Sequence, residues 1–469
     1  MLWTVVRMEW MSARRERALW AAIGLFAVLT AYATLVGWTF TRSESIAAAA
    51  AGEADHGRLA RLRAEVVAIE GGAAVRHVAD PRSPHLVGSE IAPRVASLPP
   101  GPLSLAAVGQ RDLLPQTVVL TTRPRVGEPA RDDGTSPSLR ANGSFDLAFV
   151  FVFLLPLLVV SLAYDLLTGE RERGTLALVL SQPISLRTFV FGKALARGSI
   201  VVGTVLVLAL GGALASGALA AEGGLLRLAL YGALLTFYTA FWFLLALAID
   251  AWGRTAAGNA LSAVGAWLLL VVIVPGLASV AVDTAYPSPS RTELVTLARD
   301  AARNAESSAS RLDGDHRRAP DPASMGRRSI EIQSAFEAEV APVLARFRDQ
   351  RTRQQTLVAR VRFVSPAIVL HEGLSDVAGS SVTRHQHFTA QVEAFHAELK
   401  QFFASRLARG ATLAAADYDA MPRFVYREAE GGELVARVLS SVVALGLAGA
   451  AALAVALLGL RRRYGKTRL

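Results

Sequence analysis

Residues 225–249 read LLRLALYGALLTFYTAFWFLLALAI, an apolar run with a single charged residue, Arg227, close to its beginning. A helix of about 20 apolar residues crosses the ~30 Å hydrocarbon core of a bilayer. A charged side chain near the end of such a helix can reach the headgroups. The run is therefore predicted to span a membrane.

Five further runs share this composition, and none has a charged residue at its centre. The six predicted spans are 18–39, 145–164, 198–220, 225–249, 258–282 and 435–460. The whole chain of 469 residues is 52% hydrophobic, 19% charged and free of cysteine. This composition excludes a disordered chain and a small disulfide-stabilised domain. The sequence predicts a mostly α-helical polytopic membrane protein.

Basic residues are concentrated on one side of the predicted spans. The segments on that side contain 15 basic and 6 acidic residues. The segments on that side are 1–17, 165–197, 250–257 and 461–469. The two long loops, 42–144 and 283–434, are nearly neutral, with 32 basic and 31 acidic residues. Because Lys and Arg near span ends stay in the cytoplasm, both termini are predicted inside and both long loops outside. The net charge of +10 is thus a topology signal, and no nucleic-acid partner is expected.

The beginning of the chain permits a second interpretation. Arg14, Arg15 and Arg17, an apolar run and then Ala31-Tyr32-Ala33 are typical of a cleaved signal peptide. The apolar run continues to Phe40, beyond the length of an ordinary signal core, so we favour an uncleaved membrane anchor. At the other end of the sequence, residues 461–469 are predicted to be a basic cytoplasmic tail.

The two outer loops are predicted to form one large, mainly helical extracytoplasmic domain. Residues 47–74 have apolar residues three and four apart, as in an amphipathic helix. Residues 81–143 contain ten of the twenty prolines and are predicted to be irregular, with a short strand at 118–122. Apolar stripes at 336–347 and 388–407 predict two helices that pack against each other or against the first loop.

Two motifs of enzymatic chemistry are incomplete in this sequence. His371-Glu372 begins like a metalloprotease helix, but Ser375 stands where the second zinc-binding histidine is needed. Gly465-Lys466-Thr467 ends like a phosphate-binding loop, but Leu460 replaces the first glycine. We therefore expect no catalytic residue and no bound cofactor in this chain.

A weak hypothesis of a metal site concerns three histidines of the second loop. His385 and His387 are two residues apart, which places them on different faces of a helix, and His396 follows eleven residues after His385. Solvated histidines on a polar helix face are the better interpretation, and no metal is expected.

The segment between the second and third spans carries the most informative pattern. It reads YDLLTGERERGTLALVLSQPIS over 164–185 and continues to Gly192-Lys193. A charged turn precedes a short apolar helix, which Pro183 ends, and Ser185 can cap the following helix. From its residues alone, this segment has two possible interpretations: a docking surface for a soluble partner, or an ordinary connector on the lipid surface.

This pattern resembles the coupling-helix segment of ABC-2 type transporter permeases. The matching residues are Glu170, Glu172, Gly174, Thr175, Leu176, Ser181, Pro183, Gly192 and Lys193. Four more stretches resemble a subgroup of these permeases that has a large extracytoplasmic domain of unknown function. They are PGPLSLAAVGQRDLLPQ at 100–116, FDLAFVFVFLLPLL at 145–158, VSPAIVLHEGLSDVAGSSVTRHQHF at 364–388 and DYDAMPRFVY at 417–426.

The resemblance implies a bacterial inner-membrane half-transporter that works with a second copy or a paralogous permease and with two copies of a separate ABC ATP-binding subunit. ATP and magnesium would be bound by that subunit. Residues 1–17 would form an interfacial helix, and the coupling segment would contact the ATPase. The implied contact residues are Glu170, Glu172 and Arg173 as charged groups, Leu176, Leu180 and Pro183 as the fitted surface, and Gly174, Thr175, Ser181 and Lys193 from the rest of the pattern.

The predicted function is export of an amphipathic or apolar cargo, because the span interiors carry no charge of the kind that marks an ion path. Two alternatives stay open. One is an ABC-driven membrane machine that acts on an extracytoplasmic partner protein, and the other is a polytopic receptor or anchor without an ATPase. Membrane lipid surrounds the chain in every case.

Overall fold

The computed structural model describes residues 2–75, 80–109, 111, 114–123, 145–182, 184–215, 217, 219, 223–287, 291–312, 322–429 and 431–464. Among these residues, six helices are long and apolar enough to cross a membrane. In chain order they are spans 1 to 6: Arg17–Glu70, Leu147–Glu172, Leu186–Leu214, Gly224–Trp252, Ala256–Ala285 and Gly431–Arg462. The prediction of a mostly helical polytopic membrane protein is confirmed. Pro183, the loop stretch 124–144 and residues 465–469 lie outside the described residues.

Span 1 belongs to a single unbroken helix of 54 residues, Arg17–Glu70. The predicted span 18–39 and most of the predicted amphipathic helix 47–74 are therefore parts of one element. At 1.5 Å per residue the helix is about 80 Å long, far more than the ~30 Å of hydrocarbon. Its second half projects from the bundle and supports the domain described next.

Described parts of both long loops pack on this projecting half, and we call residues 42–123 and 382–429 the two-loop domain. Within it, Leu103, Leu105, Ala106 and Ala107 pack instead in the apolar core of the spans. The core of the domain is built around the helix Val382–Ala408, and the predicted apolar stripe of that helix is buried. The stripe shares one apolar cluster with Leu59 and Val66 of the projecting helix. The stripe therefore packs against the first loop, one of the two arrangements that the sequence left open.

A small antiparallel sheet completes this core. Arg94–Ser97 pairs with Thr117–Leu120, with Val95 opposite Val119. Ala96 and Leu120 on the inner face are fully buried, as expected of a sheet that covers an apolar cluster on one side.

The other helical elements are short, or lie beside the spans and the domain. They are Leu2–Ala13, Pro84–Leu86, Thr168–Glu172, Thr175–Leu180, Arg291–Leu312, Pro322–Val361, Pro366–Ala378 and Ala415–Asp419, with a π turn at Val87–Ile91 and a 3-10 turn at Arg362–Val364. The third and sixth long helices extend over Leu186–Ala215 and Gly431–Tyr464. Arg291–Leu312 and Pro322–Val361 form a hairpin that is linked to the two-loop domain by an ion pair of 2.9 Å between Arg348 and Glu393.

The helix Pro366–Ala378, which belongs to the second long loop, packs against the spans. A Cβ added at Gly373 would lie 3.0 Å from the side chain of Leu234 in span 4. Before the helix, the hydroxyl of Ser365 donates a 2.5 Å hydrogen bond to the carbonyl oxygen of Leu270 in span 5. Leu270 is fifteen residues, or about 22 Å, from the end of span 5 at Ala285. The chain thus enters the level of the spans and returns, and we call 366–378 the re-entrant helix.

Spans 2 and 5 each contain a π-helical turn that precedes a proline. The turns are Val150–Leu154 before Pro156 and Leu268–Ile273 before Pro275. Their α-helical parts are Leu147–Phe149, Leu155–Ala163, Ala256–Trp267 and Val274–Ala285. The π turn and the proline after it interrupt the regular hydrogen bonds of each helix. Because proline has no N–H, backbone carbonyl oxygens at each interruption lack a helical donor. Side chains supply donors instead: Tyr238 to Val152, Trp267 to Phe153 and Ser365 to Leu270.

Candidate functional site

The predicted coupling segment, 165–197, takes in the end of span 2 and the beginning of span 3, and we use the name for its part 165–193. This part contains two short helices. Thr168–Glu172 and Thr175–Leu180 are separated by a turn in which Gly174 has a φ of +75°, a conformation that favours glycine. The Thr175 hydroxyl donates to the backbone oxygen of Glu170 at 3.1 Å and also contacts the Glu170 carboxylate. As predicted, Ser185 caps the next helix, since its hydroxyl accepts a 3.1 Å hydrogen bond from the N–H of Thr188.

A buried lysine ties the segment to the beginning of the chain. Lys193 is 3% exposed, and its Nζ donates a 2.8 Å hydrogen bond to Oε1 of Glu170. The same Nζ lies 3.9 Å from Oε2 of Glu9 in the helix Leu2–Ala13. Arg197 donates to the other Glu9 oxygen at 2.9 Å. These charges link the N-terminal helix, the coupling segment and span 3 in one low-exposure network, in which each ion depends on its partners.

The glycine before this lysine has a packing role. A Cβ added at Gly192 would lie 2.7 Å from Cγ1 of Val5, which is buried in the N-terminal helix. A larger residue would push that helix away from span 3. Gly192 therefore lets the N-terminal helix lie close to span 3, and the ion pairs of Lys193 with Glu9 and Glu170 hold the two helices together.

A second buried group, Asp250 at the end of span 4, holds the other side of the segment. It is 1% exposed and accepts four hydrogen bonds. The donors are the N–H of Leu167 at 2.6 Å, the N–H of Thr168 at 3.1 Å, the Thr168 hydroxyl at 2.7 Å and Nδ2 of Asn259 at 2.7 Å. A carboxylate thus caps the first short helix from another element, a position favoured by the helix dipole.

The turn between spans 4 and 5 is fastened to the same short helix. Glu172 accepts a 2.8 Å hydrogen bond from the N–H of Ala256, at the beginning of span 5, and Arg171 contacts the backbone oxygen of Arg254. Only glycine fits at position 253, because a Cβ there would lie 1.5 Å from Oδ1 of Asn259 and clash with it. Movement of the coupling segment would therefore reach spans 4 and 5 through direct bonds.

In the sequence, Asp250 entered only the charge balance, and no pattern distinguished Asn259. The one available signal was an acidic residue immediately after a long apolar run. Spacing could not reveal the partners of Asp250, because Leu167 and Thr168 are more than 80 residues away in the chain.

The predicted contact residues separate into an exposed set and a buried set. Arg173 is 57% exposed, and Glu172, Thr175 and Ser181 are also exposed. Leu176 is 7% exposed and belongs to the apolar core of the bundle. The side chain of Leu180 and all of Pro183 lie outside the described residues.

Two of the predicted contact residues are buried within this chain. Leu176 and Lys193 face the interior of the chain, because one packs in the core and the other is enclosed by its ion pairs. The exposed apolar side chain of the short helix is that of Leu178, at 70%.

Parts of the chain are similar to known proteins. Residues 329–427 match a family described as a domain of unknown function, DUF3526. A stretch of 135 residues is 36% identical to the probable ABC transporter permease protein NosY of Stutzerimonas stutzeri, and it covers 27% of this chain and 48% of that protein. A stretch of 61 residues is 39% identical to the protein of the same name from Pseudomonas aeruginosa, over 13% of this chain and 22% of that protein.

The similarity supports an ABC transporter permease. The chain spans less than half the length of the two curated relatives that it matches. Together with the six apolar helices, the similarity supports a multi-pass protein of the inner membrane. It is also compatible with a subunit that is not itself an enzyme.

The histidines of the weak metal hypothesis are separated by their surroundings. His385 is buried, contrary to the expected solvated position, and its ring centroid lies 5.8 Å from that of Phe388. His387 instead lies 3.1 Å from the backbone oxygen of Arg427. Within the described part of the chain, no group of three or more His, Cys, Asp or Glu side chains is arranged to hold a metal ion. The Gly465-Lys466-Thr467 stretch lies outside the described residues.

Proposed function

We propose that the chain is the permease subunit of an ABC-2 type transporter and that residues 165–193 receive a separate ATP-binding subunit. The observation that carries this proposal is the contrast within the coupling segment. Leu178 and Arg173 are exposed, whereas the segment is anchored underneath by Lys193 and Asp250. A short apolar helix that follows a charged turn, exposes Leu178 and is held in place by buried polar groups suits docking in the cleft of a soluble partner.

The proposed mechanism begins with closure of two ATP-binding subunits on ATP. Those subunits bind ATP and magnesium, and this chain binds neither. Their movement displaces the coupling segment. Asp250 transmits the displacement to spans 4 and 5, and Lys193 transmits it to the N-terminal helix and span 3. The permease pair, two copies or two paralogues, then changes access between the two sides of the membrane.

We place both termini in the cytoplasm and the two-loop domain outside, because basic residues are concentrated at the end of the bundle that carries the coupling segment. The direction that suits this arrangement is export from the cytoplasm or the inner leaflet.

The cargo is proposed to be amphipathic rather than wholly apolar. The spans themselves are apolar, but charged side chains in and before the re-entrant helix lie beside them. Arg362, just before this helix, lies 3.5 Å from the carboxylate of Glu372 and donates a 2.8 Å hydrogen bond to Ser440 of span 6. A polar group of a cargo molecule would find partners there, which the sequence did not indicate.

A second candidate function is that of an ABC-driven machine acting on an extracytoplasmic partner protein. It is favoured by the size of the two-loop domain and by the long hairpin 291–361 beside it. An ATPase that responds to that partner, and not to amphipathic small molecules, would distinguish it from transport. A receptor or anchor would carry no ATP-binding subunit.

The test replaces the exposed apolar residue of the short helix. Leu178→Asp in the full-length chain is expected to abolish co-purification of the ATP-binding subunit and the ATPase activity of the solubilised complex. The matched control is Val425→Asp, a residue of similar exposure, 74%, in the two-loop domain. If the Leu178→Asp chain retains the subunit and its activity as fully as the control, the docking assignment is wrong.

A further inference from the structure

A polar cavity of about 350 Å³ lies where spans 4 and 6 meet the two-loop domain. Its lining includes three arginines (Arg227, Arg384 and Arg437) and three acids (Asp376, Glu428 and Glu433). The single large apolar side chain of the lining is Leu434. The cavity therefore suits a hydrophilic group and not an acyl chain.

Two of the three cavity arginines have carboxylate partners. Arg384 is held by Glu428, with a shortest distance of 2.5 Å, and also donates to the backbone oxygen of Pro99 at 3.0 Å. Arg437 lies 3.4 Å from Asp376 and 3.8 Å from Glu433, and the Glu433 side chain is 70% exposed. Arg437 is therefore shared between two carboxylates, and the cavity as a whole holds three arginines and three acids.

Arg227 is the remaining cation. It donates a 2.8 Å hydrogen bond to the backbone oxygen of Val377, at the end of the re-entrant helix. Among the described residues, no carboxylate lies within 4 Å of its guanidinium. Its hydrogen-bond acceptors are the backbone oxygens of Val377 and, at 3.4 Å, Asp376, while the carboxylates of Glu428 and Asp376 act on it from a longer distance. A half-buried guanidinium whose direct acceptors are backbone oxygens keeps donors for an anion, and arginine matches the geometry of phosphate oxygens.

Further donors line the same cavity as Arg227. Helices Val382–Ala408 and Gly431–Tyr464 both begin at the cavity wall, and their positive dipole ends favour an anion. The hydroxyls of Ser381 and Thr383 stand in the same wall.

The position of the cavity along the spans indicates the source of the anion. Arg227 is near the beginning of span 4, and Arg437 is in the second turn of span 6. A phosphate at this level belongs to the headgroup region of the bilayer. We propose that the cavity binds the phosphate of a membrane lipid headgroup between Arg227 and Arg437. The proposal does not depend on the identity of the cargo or of the ATP-binding subunit.

The test uses the full-length chain, delipidated in detergent. Dioleoylphosphatidylglycerol is compared with dioleoylglycerol, which has the same chains and no phosphate, and with inorganic phosphate alone. Native mass spectrometry counts bound lipid, and thermal unfolding reports the effect of each probe. The variants are Arg227→Gln and Arg437→Gln, and the control is Arg346→Gln, an exposed arginine of the hairpin.

We expect the wild type and the control to retain the phospholipid, and each cavity variant to bind it about tenfold more weakly. Dioleoylglycerol should neither bind at this site nor raise the unfolding temperature to the same extent. Equal binding of dioleoylglycerol, or unchanged phospholipid binding in both cavity variants, would overturn the proposal. Full stabilisation by inorganic phosphate alone would overturn the assignment to a lipid. If Arg227→Gln does not fold, Arg437→Gln decides.

Discussion

The hydroxyl of Tyr238 in span 4 donates a 2.8 Å hydrogen bond to the backbone oxygen of Val152 in span 2. In an uninterrupted α-helix this oxygen would accept from the residue four positions later, but that residue is Pro156. Both partners are buried, at 0% and 2% exposure. The bond thus compensates for the break in span 2 and joins two spans where no water can substitute.

Removing this hydroxyl should destabilise the bundle. Tyr238→Phe leaves the Val152 oxygen without its donor, and we expect the free energy of unfolding to fall by about 1–3 kcal/mol. Thermal unfolding of the purified chain in one detergent measures the change. Tyr32→Phe, at a residue that is 57% exposed, is the control and should have little effect. Equal unfolding temperatures for Tyr238→Phe and the wild type would show that the Tyr238 hydroxyl does not compensate for the missing N–H of Pro156.

Asp250→Asn should loosen the coupling segment. An amide has the shape of the carboxylate, but its NH₂ group would face the N–H donors of Leu167 or Thr168, at a cost of about 1–3 kcal/mol. We expect trypsin to cleave after the exposed Arg173 faster than in the wild type, as followed by mass spectrometry of the intact chain. Asp349→Asn, an exposed acid of the hairpin, is the control. An unchanged cleavage rate at Arg173 would show that Asp250 does not hold the segment.

Exchange of the two charges at Glu170 and Lys193 tests the ion pair under the segment. Glu170→Lys alone places two cations together at low exposure and should cost about 3 kcal/mol in the free energy of unfolding. The double variant Glu170→Lys, Lys193→Glu should recover part of this loss, although Glu9 then faces a like charge. A double-mutant cycle on thermal unfolding measures the coupling, and additive effects would contradict it.

The same exchange bears on function. If the proposed role is correct, Glu170→Lys reduces ATP-driven transport by the reconstituted complex more than it reduces membrane insertion. Normal transport by a folded Glu170→Lys complex would contradict the role assigned to the segment.

The stability of the two-loop domain should depend on pH through His85. Partial burial lowers the pKa of this imidazole below its usual value, Arg123 lowers it further, and Glu90 opposes the shift. As pH falls below about 6.5, the unfolded chain takes up a proton that the folded imidazole does not accept. Stability is therefore full above that pH, declines below it and levels off beneath the folded-state pKa.

His85→Gln should reduce this decline. Unfolding temperatures at about pH 7.5 and about pH 5.5 are compared for the wild type, His85→Gln and the exposed-site control His56→Gln. We expect a smaller loss on acidification in His85→Gln alone. A loss equal to that of the wild type would mean that His85 makes no contribution.

Much of the candidate site could be predicted because its pattern is local. The charged turn, the short helix and the cap at Ser185 follow from residues close together in the chain. The face that the helix turns outward could not be predicted, because Leu176 and Leu178 are equally apolar and only the neighbouring spans decide which is covered. The roles of Lys193 and Asp250 were missed for the same reason, since their partners are distant in sequence.

The six spans and their charge asymmetry could be predicted from the amino-acid sequence, since the length and apolarity needed to cross a bilayer are properties of each segment alone. The position of residues 366–378 against the spans became visible only in the folded chain. That helix is ordinary in length and composition, and its place depends on Leu234, Leu270 and Ser440 from three other spans. Local patterns fix what each segment can be, whereas the partners of buried polar groups are fixed only when distant segments meet.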